Sequence, residues 1–364
     1  KSCKFVKRNI IIKKTLNKKH MKRYILLLLL GTTTTLLIAQ GFDEVLPCGT
    51  HLIQPAQSSW TGDETLLQTT TSNTEKIIPV VFHIFHESGI ENISKENVLL
   101  ALERLNKDFD RNHENLPQTP EVFRNIAADV DVRFVLATKD PQGNCTDGVN
   151  RYYTNFTFLQ LLTYPNLSQF LWDDNLYLNV FVSRTLSYGN ILALGYGSFP
   201  GFNFSYGNAI FLSHEALLFY QNGISAGETI SHEVGHWLDL RHVWGDNNGD
   251  VTQNCSDSDG ISDTPNQLGP SNKCFQDFPL ITCNNSPSGN MFCNFMDYGD
   301  KGCITMFTNG QKTRMQNILN THPDRKDLWT SANLDFTGVN QWTPTFSCPS
   351  KPKADFATDQ AYLI

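Results

Sequence analysis

The sequence predicts an α/β domain of the α+β kind. Its upper part holds a twisted mixed sheet and two long helices; its lower part is irregular, stapled by disulfides, and ends in a helix. Three observations predict this. Short β-branched and aromatic runs alternate with two amphipathic helical patterns between Ile77 and Leu240, which is how a mixed sheet covered by helices reads. Five of the nine cysteines crowd between Cys255 and Cys303, where no apolar periodicity exists and cross-links must substitute for a core. A last helical pattern follows at Phe307–Leu319.

The elements follow in order. Residues 1–20 are basic, lack a starting Met, and are expected to be an untranslated leader. From Met21 the chain reads MKRYILLLLLGTTTTLLIAQ, a basic stub and a short apolar run ending at Ala39. That pattern predicts a secretory signal peptide over 21–39 and a secreted product that is not membrane-bound after cleavage. Residues 40–76 are polar and Ser/Thr-rich, a pro-segment or linker. The main folded domain is placed at 77–335. Ile77–His86 (IIPVVFHIFH) is its first strand, with His83 and His86 read as packed strand histidines. Ser94–Phe109 is a helix with Ser94 as its cap and Val98, Leu99, Leu102, Leu105 and Phe109 facing inward. Strands follow at Val130–Ala137, Leu176–Ser183, Ile191–Phe199 and Ala209–Ser213. The second long helix spans Ala226–Leu240, with Ile230, Val234, Trp237 and Leu238 as its apolar stripe. The last helix starts at Thr308 or Asn309. Asp335 onward reads as loop, and 336–364 as a C-terminal linker entering a further module.

The formal net charge of −7 hides an asymmetry. Residues 1–23 carry ten Lys/Arg and no acid; the remainder has 19 basic against 36 acidic residues, about −17. An acidic body argues against nucleic-acid binding and suits a secreted, cation-binding protein; a monomer is expected.

The chemistry concentrates in Ser231–Gly245, SHEVGHWLDLRHVWG. His232 and His236 are four apart, so a helix carries both imidazoles on one face, one turn apart. His242 reaches them only if the helix stops and the chain turns back. Three imidazoles with an open fourth position hold a catalytic Zn2+. Glu233, beside the pair, is placed to act as general base toward the metal's water. Downstream, Asp246, Asp250, Asp257, Asp259 and Asp263 put hard oxygen ligands close together in glycine-rich loop, a composition that suits structural Ca2+ without matching the EF-hand spacing.

Together, SHEVGHWLDLRH and Asn294–Phe307 (NFMDYGDKGCITMF) resemble the long zinc motif and the Met-turn of the metzincin metalloproteases, and within them the pappalysin family. The similarity runs from about Ile77 to about Trp329. It implies zinc on His232, His236 and His242, and Met296 as an apolar floor beneath them. It implies that Tyr298 stabilises developing oxyanion charge. It implies calcium near the acidic loop, and disulfides Cys255–Cys283 and Cys274–Cys303. By the same resemblance, peptide and protein substrates pair along the strand Leu192–Phe199, taken as the sheet edge above the cleft. Cys48-Gly49 resembles a latency switch in which a thiolate caps the metal; a disulfide, for instance to Cys145, is the alternative. Two departures stand out. The family glycine after the second ligand is Asp239, which leaves open whether the turn forms or Asp239 itself reaches the metal. Gly302 stands where a pocket acid is expected, with Asp300 displaced by two, so a preference for basic residues does not transfer. The expected function is a secreted zinc metalloendopeptidase; the alternative is a catalytically impaired binding protein on the same scaffold.

Overall fold

A computed structural model describes residues 44–50, 74–154, 158–160, 167–201, 207–217, 228–245, 255–272, 274, 278–299 and 302–340. The leader, the signal peptide, residues 51–73, Asp246, Asp250, Asp300 and the tail from 341 lie outside the described residues.

The elements run β1 (Glu44–Cys48), β2 (Lys76–His86), α1 (Lys95–Phe109), α2 (Glu121–Arg124), β3 (Ala127–Ala128), β4 (Val132–Leu136), β5 (Val149–Tyr153), β6 (Phe158–Gln160), β7 (Leu178–Ser183), β8 (Thr185–Tyr188), β9 (Ile191–Gly197), β10 (Ala209–Ser213), α3 (Glu228–Trp237), β11 (Phe307–Thr308), α4 (Asn309–Thr321) and α5 (Ser331–Thr337). The described strands build a nine-stranded mixed sheet. Strand β2 is its axis: β4 pairs with its first half and β5 with its second, both parallel, while β7 runs parallel along the other edge. The sheet continues through β10, parallel to β7, then β9 antiparallel, β8 antiparallel and β6 parallel.

Strand β2 shows why the sheet holds. Side chains alternate between faces with period two. Ile78, Val80, Phe82 and Ile84 enter the main core under the helices, together with Val98 and Leu105 of α1 and Ile230 and Val234 of α3. Phe85 enters an aromatic cluster on the opposite face with Phe181, Tyr196 and Phe211. A strand buried on both faces reads as a continuous apolar run, and IIPVVFHIFH is one.

Local sequence sets the ends of the helices. Ser94 accepts from the Asn97 amide at 3.2 Å and caps α1. Val98, Leu102, Leu105 and Phe109 are buried, but Leu99 is exposed, contrary to expectation. It lies one residue, about 100°, from Val98 around the helix, and the inward positions it was to share are taken by Ala101, Arg104 and Asp108. Thr308 caps α4 with a capping box to Gln311. Asp335 belongs to α5 rather than to a loop: Thr330 accepts from the Asn333 amide, and Gly338 at φ 77° ends the turn.

The lower part is irregular. Cys255 is bonded to Cys283 and Cys274 to Cys303. Phe123, Met291, Phe292 and Met306 form a small core of their own beside the second bridge. Cys145 is also disulfide-bonded, whereas Cys48 and Cys293 are free thiols, so the Cys48–Cys145 pairing is excluded. Among the described residues, no helix is long and apolar enough to cross a membrane.

The strand expected at the sheet edge above the cleft carries a further strand of this chain. One edge of β9 is shared by β8 and β10, and the other is taken by β1. Leu192 and Ala193 pair with β8, and Gly195 pairs with β10. The same three residues also pair with β1, in parallel, through Val45, Leu46 and Cys48. A strand has two hydrogen-bonding edges, so β1 lies along the edge that β8 and β10 leave open.

Candidate metal centre

Helix α3 carries His232 and His236 on its inner face. It stops at Trp237, and Asp239 takes φ 71°, in the left-handed region. A non-glycine residue there costs about 1 kcal/mol, least for Asn and Asp. The turn predicted from the glycine position therefore forms with aspartate in it. Asp239 does not reach toward the histidines: its carboxylate is 2.7 Å from Arg314 Nη2. Beyond the turn the chain comes back and buries His242 beside the helix.

The three imidazoles converge. His232 Nε2 lies 3.1 Å from His236 Nε2 and 3.2 Å from His242 Nε2. Nitrogens at about 2.0–2.1 Å from a tetrahedral zinc lie about 3.3 Å apart, so the spacing fits that ion. The outer nitrogens fit as well. His232 Nδ1 is 2.6 Å from the Phe295 carbonyl and His236 Nδ1 is 2.8 Å from the Leu240 carbonyl. A carbonyl only accepts, so Nδ1 carries the proton and the Nε2 lone pair turns inward. Trp244 stacks on His242 with centroids 4.4 Å apart and planes 4° apart.

A fourth donor completes the set. Cys48 Sγ and the three imidazoles offer atoms that all lie within 4.8 Å of one another, and all four residues are buried. Three nitrogens and one sulfur form a zinc-type donor set. Glu233 adjoins it: Cys48 Sγ donates to Glu233 Oε2 at 3.5 Å, and Thr50 Oγ1 donates to the same oxygen at 3.2 Å. Glu233 Oε1 is buried without a hydrogen-bond partner among the described residues. Burial pushes the Glu233 carboxyl up to about 8. Burial, and after it the charge of Glu233, pushes the Cys48 thiol well above its ordinary range, so a thiolate here requires a neighbouring cation.

The floor and the far wall come from the lower part. Met296 is fully buried beneath α3. A Cβ on Gly235 would meet its sulfur at 2.3 Å, so only glycine lets the methionine pack against the helix between the two histidines. Tyr298 donates from its hydroxyl to the Cys48 carbonyl at 3.3 Å, and its ring centroid is 5.0 Å from that of His242. The buried Asp297 carboxylate accepts from Ser271 Oγ, Gln267 Nε2 and the Ser271 amide, fixing the turn in place.

Of the acidic loop residues, Asp257, Asp259 and Asp263 are described. Asp263 accepts from Thr308 Oγ1 and the Gly310 amide at the start of α4. Asp259 accepts from Thr264 and the Ile261 amide, and Asp257 accepts from the Ser258 amide. Among the described residues no three of these carboxylates come together in one group; Thr264 Oγ1 stands 2.8 Å from both Asp259 oxygens and from the Ile261 carbonyl.

Four participants went unread in the sequence. Thr50 bridges Glu233 to β9, accepting from the Gly197 amide at 3.0 Å. Gly195 and Gly197 let α3 lie flat on β9: a Cβ on either would come within 2.4 Å of Glu233. Gly235 is the fourth. The signal was present in G-Y-G at period two and in a glycine between two histidines of a helix, where glycine otherwise costs about 1 kcal/mol.

Comparison with known proteins agrees with this geometry. Residues 163–320 match the family model Peptidase_M43, described as pregnancy-associated plasma protein-A. Curated relatives include an "Extracellular metalloprotease" of Colletotrichum graminicola, 34% identical over 128 residues (34% of this chain, 44% of that protein). Another, of Verticillium alfalfae, is 31% identical over 160 residues (41% of this chain, 50% of that protein). The match thus spans half or less of these relatives' length. Among solved structures, Tannerella forsythia mature mirolysin in complex with a cleaved peptide is 33% identical with TM-score 0.64, over 72% of this chain and 98% of that one. A Tannerella forsythia promirolysin mutant is 32% identical with TM-score 0.65, over 76% and 91%. With its zinc-type donor set, its methionine floor and a relative aligned over nearly its whole length, the chain belongs to the pappalysin family of metzincins.

Proposed function

We propose that the chain is a secreted zinc-dependent metalloendopeptidase, with the described fold its latent form. The observation that carries this reading is the convergence of three Nε2 atoms, each of two outer nitrogens being fixed on a carbonyl, beside the buried Glu233. His232, His236 and His242 would hold the zinc. When bound, the ion supplies Lewis acidity, lowering the pKa of water and polarising a peptide carbonyl. Glu233 takes the proton of the attacking water and returns it to the leaving amine. Tyr298, with its hydroxyl at the rim of the cluster, donates to the developing oxyanion. The substrate lies extended on the edge of β9, where main-chain pairing is sequence-tolerant.

Latency follows from what occupies that edge. Strand β1 pairs with β9 from Ile191 to Gly195, and Cys48 stands as fourth donor. Thr50 and Cys48 both bond Glu233, and the Cys48 carbonyl accepts from Tyr298. The base, the oxyanion donor and the substrate edge are thus all engaged by one short segment. The relatives named extracellular and the pattern of residues 21–39 support secretion.

The decisive experiment uses a chain beginning at Thr74. Glu233→Ala is expected to retain zinc and fold while losing casein hydrolysis by about 10²- to 10⁴-fold. Undiminished hydrolysis would remove Glu233 from the mechanism. Absence of hydrolysis by the zinc-loaded parent chain would favour a binding protein on the same scaffold.

A further inference from the structure

The turn that brings the third histidine to the other two is gripped by an ion pair. Asp239 stands at φ 71°, where a Cβ is crowded and glycine is the comfortable residue. Its Oδ2 accepts from Arg314 Nε at 2.9 Å and lies 2.7 Å from Nη2. The same Nε donates to the Asp239 backbone carbonyl at 2.8 Å. One planar guanidinium therefore holds the main chain and the side chain of the turn residue together. The pair is buried at its acidic end, Asp239 being 2% exposed.

What this turn sets is the metal centre. The carbonyl of the next residue, Leu240, orients His236 through Nδ1 at 2.8 Å, and the Leu240 amide donates to the Gly235 carbonyl at 2.9 Å. The chain then runs directly into His242. Arg314 projects from α4, whose first turn is fixed by the Thr308 capping box and by Asp263. Arg325 holds the residue before the turn in parallel: it donates to the Trp237 carbonyl at 3.1 Å and lies 4.1 Å over the indole.

We infer that Asp239 and Arg314 are a positioning pair for the metal centre, holding a left-handed turn that glycine would otherwise make and thereby setting His236 and His242 for the ion. The inference rests on the zinc reading above. The arginine is needed because the residue is not glycine, so removing the Cβ should remove the need.

The test measures zinc affinity of the full chain by competition with a chromophoric chelator, alongside thermal unfolding of the chelator-stripped protein. Arg314→Met is expected to weaken zinc binding by about 10- to 100-fold, the range for a lost outer partner. Asp239→Ala, which keeps a Cβ and loses the grip, should lose as much. Asp239→Gly should stay near the parent, and Asp239→Gly combined with Arg314→Met should recover most of the loss of Arg314→Met. Unchanged zinc affinity in Arg314→Met, or a double variant as weak as that single one, overturns the inference. If Arg314→Met does not fold, the alanine–glycine comparison at 239 decides alone: equal affinities overturn the pair. A parent chain that takes up no zinc overturns the metal reading instead, and the inference with it.

Discussion

Helix α3 and strand β1 both reach the metal centre, but different forces hold them there. The helix is part of the core: Ile230, Val234, Trp237 and Leu238 are fully buried against the sheet and the lower part. Each such side chain contributes about 1.5–3 kcal/mol. Strand β1 has no such anchor. Val45 is 55% exposed, and Cys48 is the apolar residue it buries. Its attachments are main-chain pairing with β9, the Gly49 amide to the Gly195 carbonyl at 2.9 Å, and polar contacts to the centre itself. The imidazoles thus belong to the fold, while the thiol is laid over it. On the proposed reading, donors fixed by packing would serve catalysis, and the thiol, fixed by the site itself, would be removable without unfolding the rest.

This contrast can be broken most sharply by stability. Trp237→Ala is expected to cost about 3–5 kcal/mol in denaturant unfolding, as a large core deletion does, and Arg325 loses the ring beneath it. Starting the chain at Thr74, which deletes β1 outright, should cost far less and should raise hydrolysis. Equal destabilisation by the two changes would mean that β1 is core. Next in size is Tyr298→Phe in the shortened chain. It should lower kcat by about 10²- to 10³-fold, the cost of one oxyanion donor, with little change in unfolding. In the full chain, where Tyr298 bonds the Cys48 carbonyl, the same change should leave the low basal rate nearly where it was.

What could be read from the sequence follows the same division. The strand β2, the cap Ser94 and the His232–His236 pair announce themselves by period two, cap chemistry and period 3.6, because each is set by neighbours in the chain. The path of His242 was legible only as spacing; its convergence depends on the φ of Asp239 and on Arg314, which lies 75 residues away. Leu99 was misassigned because an apolar residue adjacent to the buried stripe carries no mark of which side it takes, and the buried Arg104–Asp108 pair claimed the inward positions instead. The contact of Asp263 with Thr308 and Gly310 at the start of α4 joins residues 45 and 47 apart, so no local pattern announces it. Of the docked segment Glu44–Thr50, Cys48-Gly49 is legible through the family resemblance, whereas the pairing of Glu44–Leu46 with β9 and the bond of Thr50 to Glu233 depend on residues more than 140 positions away and leave no local mark.

The smallest expected effect tests how that docking works. Thr50 Oγ1 donates to Glu233 Oε2 and accepts from the Gly197 amide. Thr50→Val keeps the shape and removes both bonds. A buried hydrogen bond contributes about 1 kcal/mol net, so docking should weaken by roughly fivefold per bond lost and basal hydrolysis of the full chain should rise by a similar factor. Cys48→Ala should raise it further, because it removes the fourth member of the cluster and the sulfur that lies 3.5 Å from Glu233 Oε2. If Thr50→Val leaves the basal rate unchanged while Cys48→Ala releases it fully, the segment is held by sulfur alone and Thr50 merely fills space beside the base. If both raise the rate and the double variant adds little, the two residues act as one latch, since groups sharing the Glu233 carboxylate are not independent.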